Sequence, residues 1–567
     1  MRTPKNVTRT LLLASGLCIV AAIALARAGR SEPRRAGHTR SRSLAAEDVD
    51  PPEVQIGERL FLETRFAQYF QAHSGGDVNR PLAVGDPAVA TLPTSTGPLP
   101  GPFAGQSMNC RSCHFVDDVD GVAVNTYGDY SRRSRVSERE DRGTMTPRNS
   151  PPLVNAFLDR ENFFLHFDGQ FATVEDLVRS TFTGRNFGWL PGEDAAAVAQ
   201  LARVVREDDG SGALARQAGG AYRVVLAGTD PGIPAKLRLP PEYRIDVASA
   251  TDQDILDGVA RIIGAYLRSL TYSRDEQGLY DGSPYDVFLQ KNGLPRAPEP
   301  GESNLDYARR LRGLVASLSN PQWVTGDDES FELHDQDFVF GELELTGLKI
   351  FLREIPEAKA AFGDRLVVTR TGNCVSCHTP PDFTDFGFHN TGASQEEYED
   401  ANGDGAFARL FVPNLATRNL RPDDFLPATP QHPHAREIFK AVPSHARPGA
   451  ADLGLWNVFA NSDFPGPQPS LRRALASLGD SPDNVLPKTI AYFKTPTLRD
   501  LGQSAPYLHT GRKREIEDVI GFYVDSARRT RQGKLRNPSP ELADIFLADG
   551  DIDPLAAFLR ALNEDYD

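Results

Sequence analysis

The sequence predicts a mainly α-helical chain with long loops, in two halves that carry the same short motif. Three observations predict it. Apolar residues recur at helical spacing in several segments, strand-like alternation is rare, and Cys-x-x-Cys-His occurs twice, at Cys110–His114 and at Cys374–His378. The first helix is expected over residues 52–66, with Ile56, Leu60 and Phe61 inward. A Gly/Pro-rich loop from Ser74 to Gly105 leads to the first motif. A second helix is expected over 254–270, where Ile255, Val259, Ile262, Ile263, Tyr266 and Leu270 form one stripe. Another, over 342–351, approaches the second motif. The last begins with Asp553 as N-cap and Pro554 at the first helical position, and presents Leu555, Phe558, Leu559 and Leu562 as its apolar face.

At 567 residues the chain is long enough for more than one core. Arg2, Lys5 and Arg9 precede an apolar run from Leu11 to Leu25, and Ala26-Arg27-Ala28 offers a small-x-small cleavage site. Residues 1–28 are therefore expected to be a Sec-type signal peptide, too short in its apolar run to span a bilayer, and the protein to be periplasmic. Residues 29–48, basic and Ser/Arg-rich, are expected to be a disordered leader. No later segment reads as a membrane span. Removing residues 1–28 takes away four basic side chains and no acidic one, which moves the net charge from −15 to −19. Such a chain argues against nucleic acid as a partner and is compatible with a small electron-donor protein or another reductant, steered by complementary charge.

Of five cysteines, Cys18 lies in the signal segment, and the other four make up the two motifs. One such motif arises by chance in a chain of this length about once in a thousand, and two about once in a million. Residues i and i+3 lie on one face of a helical turn, so both thiols can form thioethers with the vinyl groups of one haem, and the next residue, His, can bind its iron. A redox dithiol would not need the His, and a zinc site using both pairs would leave two His unexplained. Cys110, Cys113, Cys374 and Cys377 are thus read as attachment points for two covalently bound haem c groups, with His114 and His378 as iron ligands. No cysteine then remains for a structural disulfide.

Longer stretches resemble the bacterial di-haem cytochrome c peroxidase and MauG family. They are Arg148-Asn149-Ser-Pro-Pro-Leu-Val-Asn155-Ala, Phe167-Asp168-Gly169-Gln170, Phe383-Thr-Asp-Phe-Gly-Phe-His389-Asn-Thr-Gly, Phe493-Lys-Thr-Pro-Thr-Leu-Arg499-Asp and Ala505-Pro506-Tyr-Leu-His509-Thr-Gly511. Order and spacing hold across 52–563. The resemblance implies a mainly α fold of two cytochrome c-like haem domains with long loops in a pseudo-two-fold di-haem arrangement. Residues 49–335 would form the N-terminal domain, with an insertion near 196–250, and 336–567 the C-terminal one. It implies a peroxidase-like oxidoreductase that uses hydrogen peroxide at the N-terminal haem and moves electrons through the C-terminal haem. It also implies one calcium ion, held by Asn149, Ser504 and Pro506, and oxygen-only ligands suit that hard cation.

The family position for the sixth ligand of the second haem falls on Tyr523, the MauG-like choice. Residues 341–567 contain no Met to take that role. His389 and His509 are rival ligands, and a core aromatic is the plainer reading of Tyr523. The peroxidatic side departs from the family. Residues 115–147 contain no His, so the first iron is either open or closed by Tyr127, Tyr130 or Met145. Nor does residues 183–190 carry an acid where the family places its catalytic Glu, for which His166 or Glu193 could substitute. Phe167 stands where the family has Trp. Asp400-Ala-Asn402-Gly-Asp404-Gly405 starts like a calcium loop but reaches Phe411 at its twelfth position, so it reads as a turn. His432-Pro-His434 reads as surface. The alternatives to a peroxidase are MauG-like oxidation of a protein or organic substrate, a rubber-oxygenase-like dioxygenase, and a non-catalytic electron carrier.

Overall fold

The computed structural model describes residues 50–80, 93–94, 97–98, 109–110, 113–114, 117–119, 122–124, 136–143, 145–160, 162–331, 334–354 and 370–565. The signal and leader segments, most of the 74–105 loop, Tyr127 and Tyr130 lie outside them. Among the described residues the protein is helix-rich, and its strands form only two-stranded antiparallel sheets.

Helix Pro52–Phe61 packs on helix Asp252–Ser269, with the Phe61 and Tyr266 rings edge to face at 5.2 Å. The first ends five residues earlier than its pattern predicts. Glu63 accepts hydrogen bonds from the backbone and guanidinium of Arg65, and this local clasp turns the chain away. The second starts two residues earlier than expected, because Thr251 and Asp254 close a reciprocal cap over its first turn. Its Ile255, Val259, Ile262 and Ile263 are fully buried, each contributing roughly 1.5–3 kcal/mol. Helices Val174–Thr183 and Asp194–Glu207 complete this core, and Cys110 and Cys113 pack against it. Residues from 196–250, among them Leu201, Tyr222 and Leu239, are buried in the same core.

A second core gathers helices Pro284–Lys291, Asn304–Ser317, Glu342–Phe351 and Ile552–Arg560 around Cys374. Helix 342–351 has the predicted bounds. Gly347 lets it cross helix 552–560 closely, since a Cβ there would lie 1.9 Å from the Pro554 carbonyl oxygen. The last helix corrects the expected cap. Asp551, not Asp553, precedes it, because a 3₁₀ turn over Asp549–Asp551 already sets the helical path, and Asp551 accepts from the Ala548 amide. Pro554 is the third helical residue. The expected apolar face is buried: Leu555, Phe558, Leu559 and Leu562.

A third cluster joins distant stretches of chain: Phe164 and Phe167 with Phe388, Trp456 and Phe493. Strand Phe388–His389 pairs antiparallel with Phe493–Lys494, and the Lys494 amide donates to the Phe167 carbonyl at 2.7 Å. Gly169, at φ +70°, turns this loop where a Cβ would sit 2.6 Å from the Phe388 ring. Asp400 and Asn402 end helix Ala393–Asn402, and Gly403 (φ +90°) turns the chain out of it. No helix among the described residues is long and apolar enough to cross a membrane.

Candidate haem sites

Both motifs fold into the same turn. At the first, the amides of Cys113 and His114 donate to the Cys110 carbonyl at 3.1 and 2.9 Å; at the second, those of Cys377 and His378 donate to the Cys374 carbonyl at 3.2 and 2.8 Å. This turn brings the two cysteines of each pair close enough to influence each other electrostatically. All four cysteines are free and half-buried. Burial pushes the Cys374 thiol up to about 12 and that of Cys110 higher still.

The imidazoles are held neutral. Burial brings His114 and His378 each down to about 4. His378 Nδ1 lies 3.1 Å from the Phe383 carbonyl oxygen. A carbonyl can only accept, so Nδ1 carries the proton, and the lone pair of Nε2 is free for a metal. The backbone of Pro496 also faces His378; at the first motif Pro151 lies near His114, whose Nδ1 is buried without a hydrogen-bond partner.

The second motif opens into a cavity of about 1620 Å³, mouth included. Cys374, Cys377 and His378 lie on its lining together with Tyr523, His389, His509 and Ser504, and most of the rest is apolar. Tyr523 comes from helix Ile516–Arg531 and packs against the cluster of Ala527, Leu542 and Ile545. Burial, followed by the neighbouring Cys377 and Cys374, raises its phenol far above the ordinary value. Its hydroxyl has no hydrogen-bond partner among the described residues. The two rival histidines are engaged. His389 Nε2 bonds Asp385 at 2.8 Å, with the Ser539 hydroxyl 3.4 Å from Nδ1. His509 stacks on Phe493 with centroids 3.6 Å apart, and its Nε2 meets the Ser394 hydroxyl at 3.1 Å.

No protein-family profile matches the chain. Over 77 residues, 14% of its length, it is 32% identical to the cytochrome-c peroxidase IdrP1 of Denitromonas iodatirespirans, and that stretch is 19% of the relative's own length. Among solved structures, it is similar to a MauG-like protein associated with microbial copper homeostasis, with 16% identity, a TM-score of 0.41 and 91% of each chain covered. It is also similar to the diheme peroxidase BthA of Burkholderia thailandensis, with 18% identity, a TM-score of 0.41, and 91% of this chain and 86% of that one covered. The chain resembles the di-haem peroxidase and MauG family.

Buried ion pairs bind two of the segments that carry the family resemblance to each other, and fix two of them to residues outside those segments. Arg148 bridges Asp168 and Asp452, and Arg499 grips Asp286 through two bonds at 2.8 and 2.9 Å. Phe167 lines the large cavity, its ring 6.3 Å from that of His509. Asn149 and Pro506 meet: the Asn149 amide nitrogen lies 2.5 Å from the Pro506 carbonyl oxygen, while its Oδ1 is buried with no partner. Ser504 bonds only weakly, to the Asp500 carbonyl at 3.4 Å.

His166, in a left-handed conformation (φ 62°), sits edge-on to Phe171 and is brought down to about 3 by burial, against the opposing charge of Asp168. It does not line the large cavity. Both Glu193 oxygens accept from Arg139, and one also accepts from the Leu190 amide. Met145 is exposed, and His432 bonds Asp423 at 2.8 Å. Sequence reasoning missed Asp452, Asp286 and Lys494. The two acids have no local motif. Lys494 stood inside a quoted segment, but nothing in one dimension shows that its amine lacks an acidic partner.

Proposed function

We propose that this chain is an exported, periplasmic di-haem c-type oxidoreductase of the cytochrome c peroxidase type. In this reading hydrogen peroxide reacts on the His114 side, and electrons from a small donor protein enter on the His378 side. One observation carries it: the cavity beside Cys374-Val-Ser-Cys377-His378 gathers both thiols, a neutral imidazole with a free Nε2, and the unpaired Tyr523 hydroxyl within apolar walls. The donor set fits a haem c, and each haem supplies one-electron redox chemistry when bound.

The residues then divide the work. Cys110 and Cys113 hold one macrocycle, Cys374 and Cys377 the other, in two cytochrome c-like domains related by a pseudo-two-fold. His114 and His378 ligate the irons, and the Phe383 carbonyl fixes the His378 tautomer. Tyr523 is the sixth ligand on the His378 side, favoured over His389 and His509 because each of those already has a polar partner. Phe167 fills the gap between the sites with apolar bulk. No acid–base group is assigned on the peroxide side, since Glu193 is tied to Arg139 and His166 is packed on Phe171. The unpaired Asn149 Oδ1 beside the Pro506 carbonyl supports a calcium ion held there with Ser504, all-oxygen ligation being what that cation prefers.

The test is direct. Purified protein should carry two haems that survive acid–acetone extraction, and should oxidise a reduced reporter only when peroxide is added. Two low-spin irons that ignore peroxide would make the chain an electron carrier. Tyr523 in the cavity favours a second reading, MauG-like oxidation of a protein or organic substrate, because an anionic phenolate stabilises oxidised iron.

A further inference from the structure

Beside the large cavity lies a smaller pocket, about 500 Å³ with its open mouth included, lined among others by Pro151, Arg160, Asp382, Phe386, Lys494 and Thr497. Lys494, Thr495, Pro496, Thr497 and Phe167 line both spaces and form the boundary between them. Two cations face this gap. The Lys494 amine donates to the Phe164 carbonyl at 3.1 Å, and no described carboxylate forms an ion pair with it. Arg160 donates from Nη1 and Nη2 to the Leu158 and Ala156 carbonyls, and its Nε–H is buried without a partner. Its guanidinium lies over the Phe386 ring, 4.1 Å from the centroid. The charge of Asp382 reaches Arg160, but that carboxylate already accepts from the Tyr280 hydroxyl.

The two like charges repel: Asp382 opposes the effect of burial on Arg160 without forming an ion pair with it, and Lys494 has no carboxylate partner among the described residues. Burying an unpaired ammonium or guanidinium is costly unless an anion arrives with good geometry. Burial, helped by Arg160, brings Lys494 down to about 7, and burial brings Arg160 down to about 10 against the opposing charge of Asp382. An anion that fits must present oxygen acceptors to these donors and reach them from the large cavity, whose wall Lys494 shares. A carboxylate on a short flexible arm meets all these demands, and a haem carries two of them.

We propose that Arg160 and Lys494 form the seat of a haem propionate, one belonging to the haem attached at Cys374 and Cys377. This rests on the di-haem reading and adds to it. The Arg160 Nε–H and the Lys494 amine donate to the propionate oxygens, and the ion pairs neutralise both cations. Arg160 lies in the first half of the chain, so the seat ties the second haem to the segment that supports the first. Both residues act on the iron through the propionate and are positioning residues.

Spectroelectrochemical titration of the holoprotein tests the seat, with Lys494→Met, Arg160→Gln and the charge-keeping Lys494→Arg beside wild type. The His378 haem is followed by its low-spin bands, and the His114 haem by its cyanide-sensitive ones. A positive charge near a haem edge favours the reduced iron. Lys494→Met and Arg160→Gln should each lower the potential of the His378 haem and leave the other unchanged, while Lys494→Arg should stay near wild type. The propionate bending band in resonance Raman spectra should move in the first two variants only. Should Lys494→Met fail to mature, Arg160→Gln read in the same two ways decides alone. Unchanged potentials and an unmoved Raman band overturn the seat, and so does a shift confined to the His114 haem, which would give the propionate to the other cofactor. A wild-type haem count below two by pyridine haemochrome overturns the di-haem reading instead, and the seat with it.

Discussion

Arg148 grips Asp452 across 304 residues of sequence, Nε to Oδ2 at 2.5 Å and Nη2 to Oδ1 at 2.8 Å, and gives Nη1 to Asp168. All three side chains are buried. Such a triad adds little net stability against a well-packed apolar replacement, but removing one member strands the others. Asp452→Asn or Asp168→Asn should therefore destabilise the protein by about 3–5 kcal/mol. Thermal melting of the purified variants checks this.

The same triad sets an acid limit. Burial by itself would raise Asp168 and Asp452, but the charge of Arg148 outweighs it and holds both carboxyls below the ordinary aspartate range. Groups depressed on folding stabilise the protein above their unfolded value of about 4, and that contribution is lost as pH falls below it. The melting temperature should change little between pH 7 and 5 from this source and fall below about 4. It should fall less steeply in Asp168→Asn, which has one fewer such group.

Tyr523→Phe should open the sixth position of the His378 haem and leave the His114 haem spectrum nearly unchanged. Tyr523→Met should raise the His378 haem potential, because a neutral thioether stabilises ferrous iron better than a phenolate does. If neither haem responds to Tyr523→Phe, the ligand lies elsewhere, with His389 and His509 next in line.

With no His in residues 115–147, the oxidised protein should bind cyanide or peroxide at the His114 haem at once, without prior reduction of its partner. Stopped-flow mixing of the fully oxidised form measures this. A lag removed by pre-reduction would mean that the site is capped.

Excess chelator should perturb both haem spectra and lower activity if Asn149, Ser504 and Pro506 hold calcium. Unchanged spectra, with no metal by elemental analysis, would leave Asn149 as a clasp on the Pro506 loop.

What was legible in the sequence was local. Two thiols and an imidazole at fixed spacing need only one turn of chain to declare themselves, and helix 342–351 announces its bounds through its own periodicity. The cap of the last helix was misread because Pro554 follows Asp553 as though opening a helix, while the 3₁₀ turn at Asp549–Asp551 had already begun one. Helix 52–61 was overrun because Glu63 clasps Arg65, an interaction invisible to a count of apolar positions. Asp452 and Asp286 escaped notice because their partners Arg148 and Arg499 lie 304 and 213 residues away. No periodicity carries information over that range.

Hydrogen bonds to the backbone that join residues far apart in sequence bear on biogenesis. Lys494 bonds the Phe167 backbone, Asn149 bonds the His509 backbone, and the Tyr272 hydroxyl bonds the Arg499 carbonyl. Each of these bonds crosses residue 335, so neither stretch of chain completes its own walls. A protease cut near 335 should leave two fragments that migrate together on a native gel and separate only in denaturant. Either fragment expressed alone should expose the seam and aggregate, while the two expressed together should reassemble. If both motifs carry the proposed thioethers, whose formation needs accessible cysteines, attachment must come before this seam shuts.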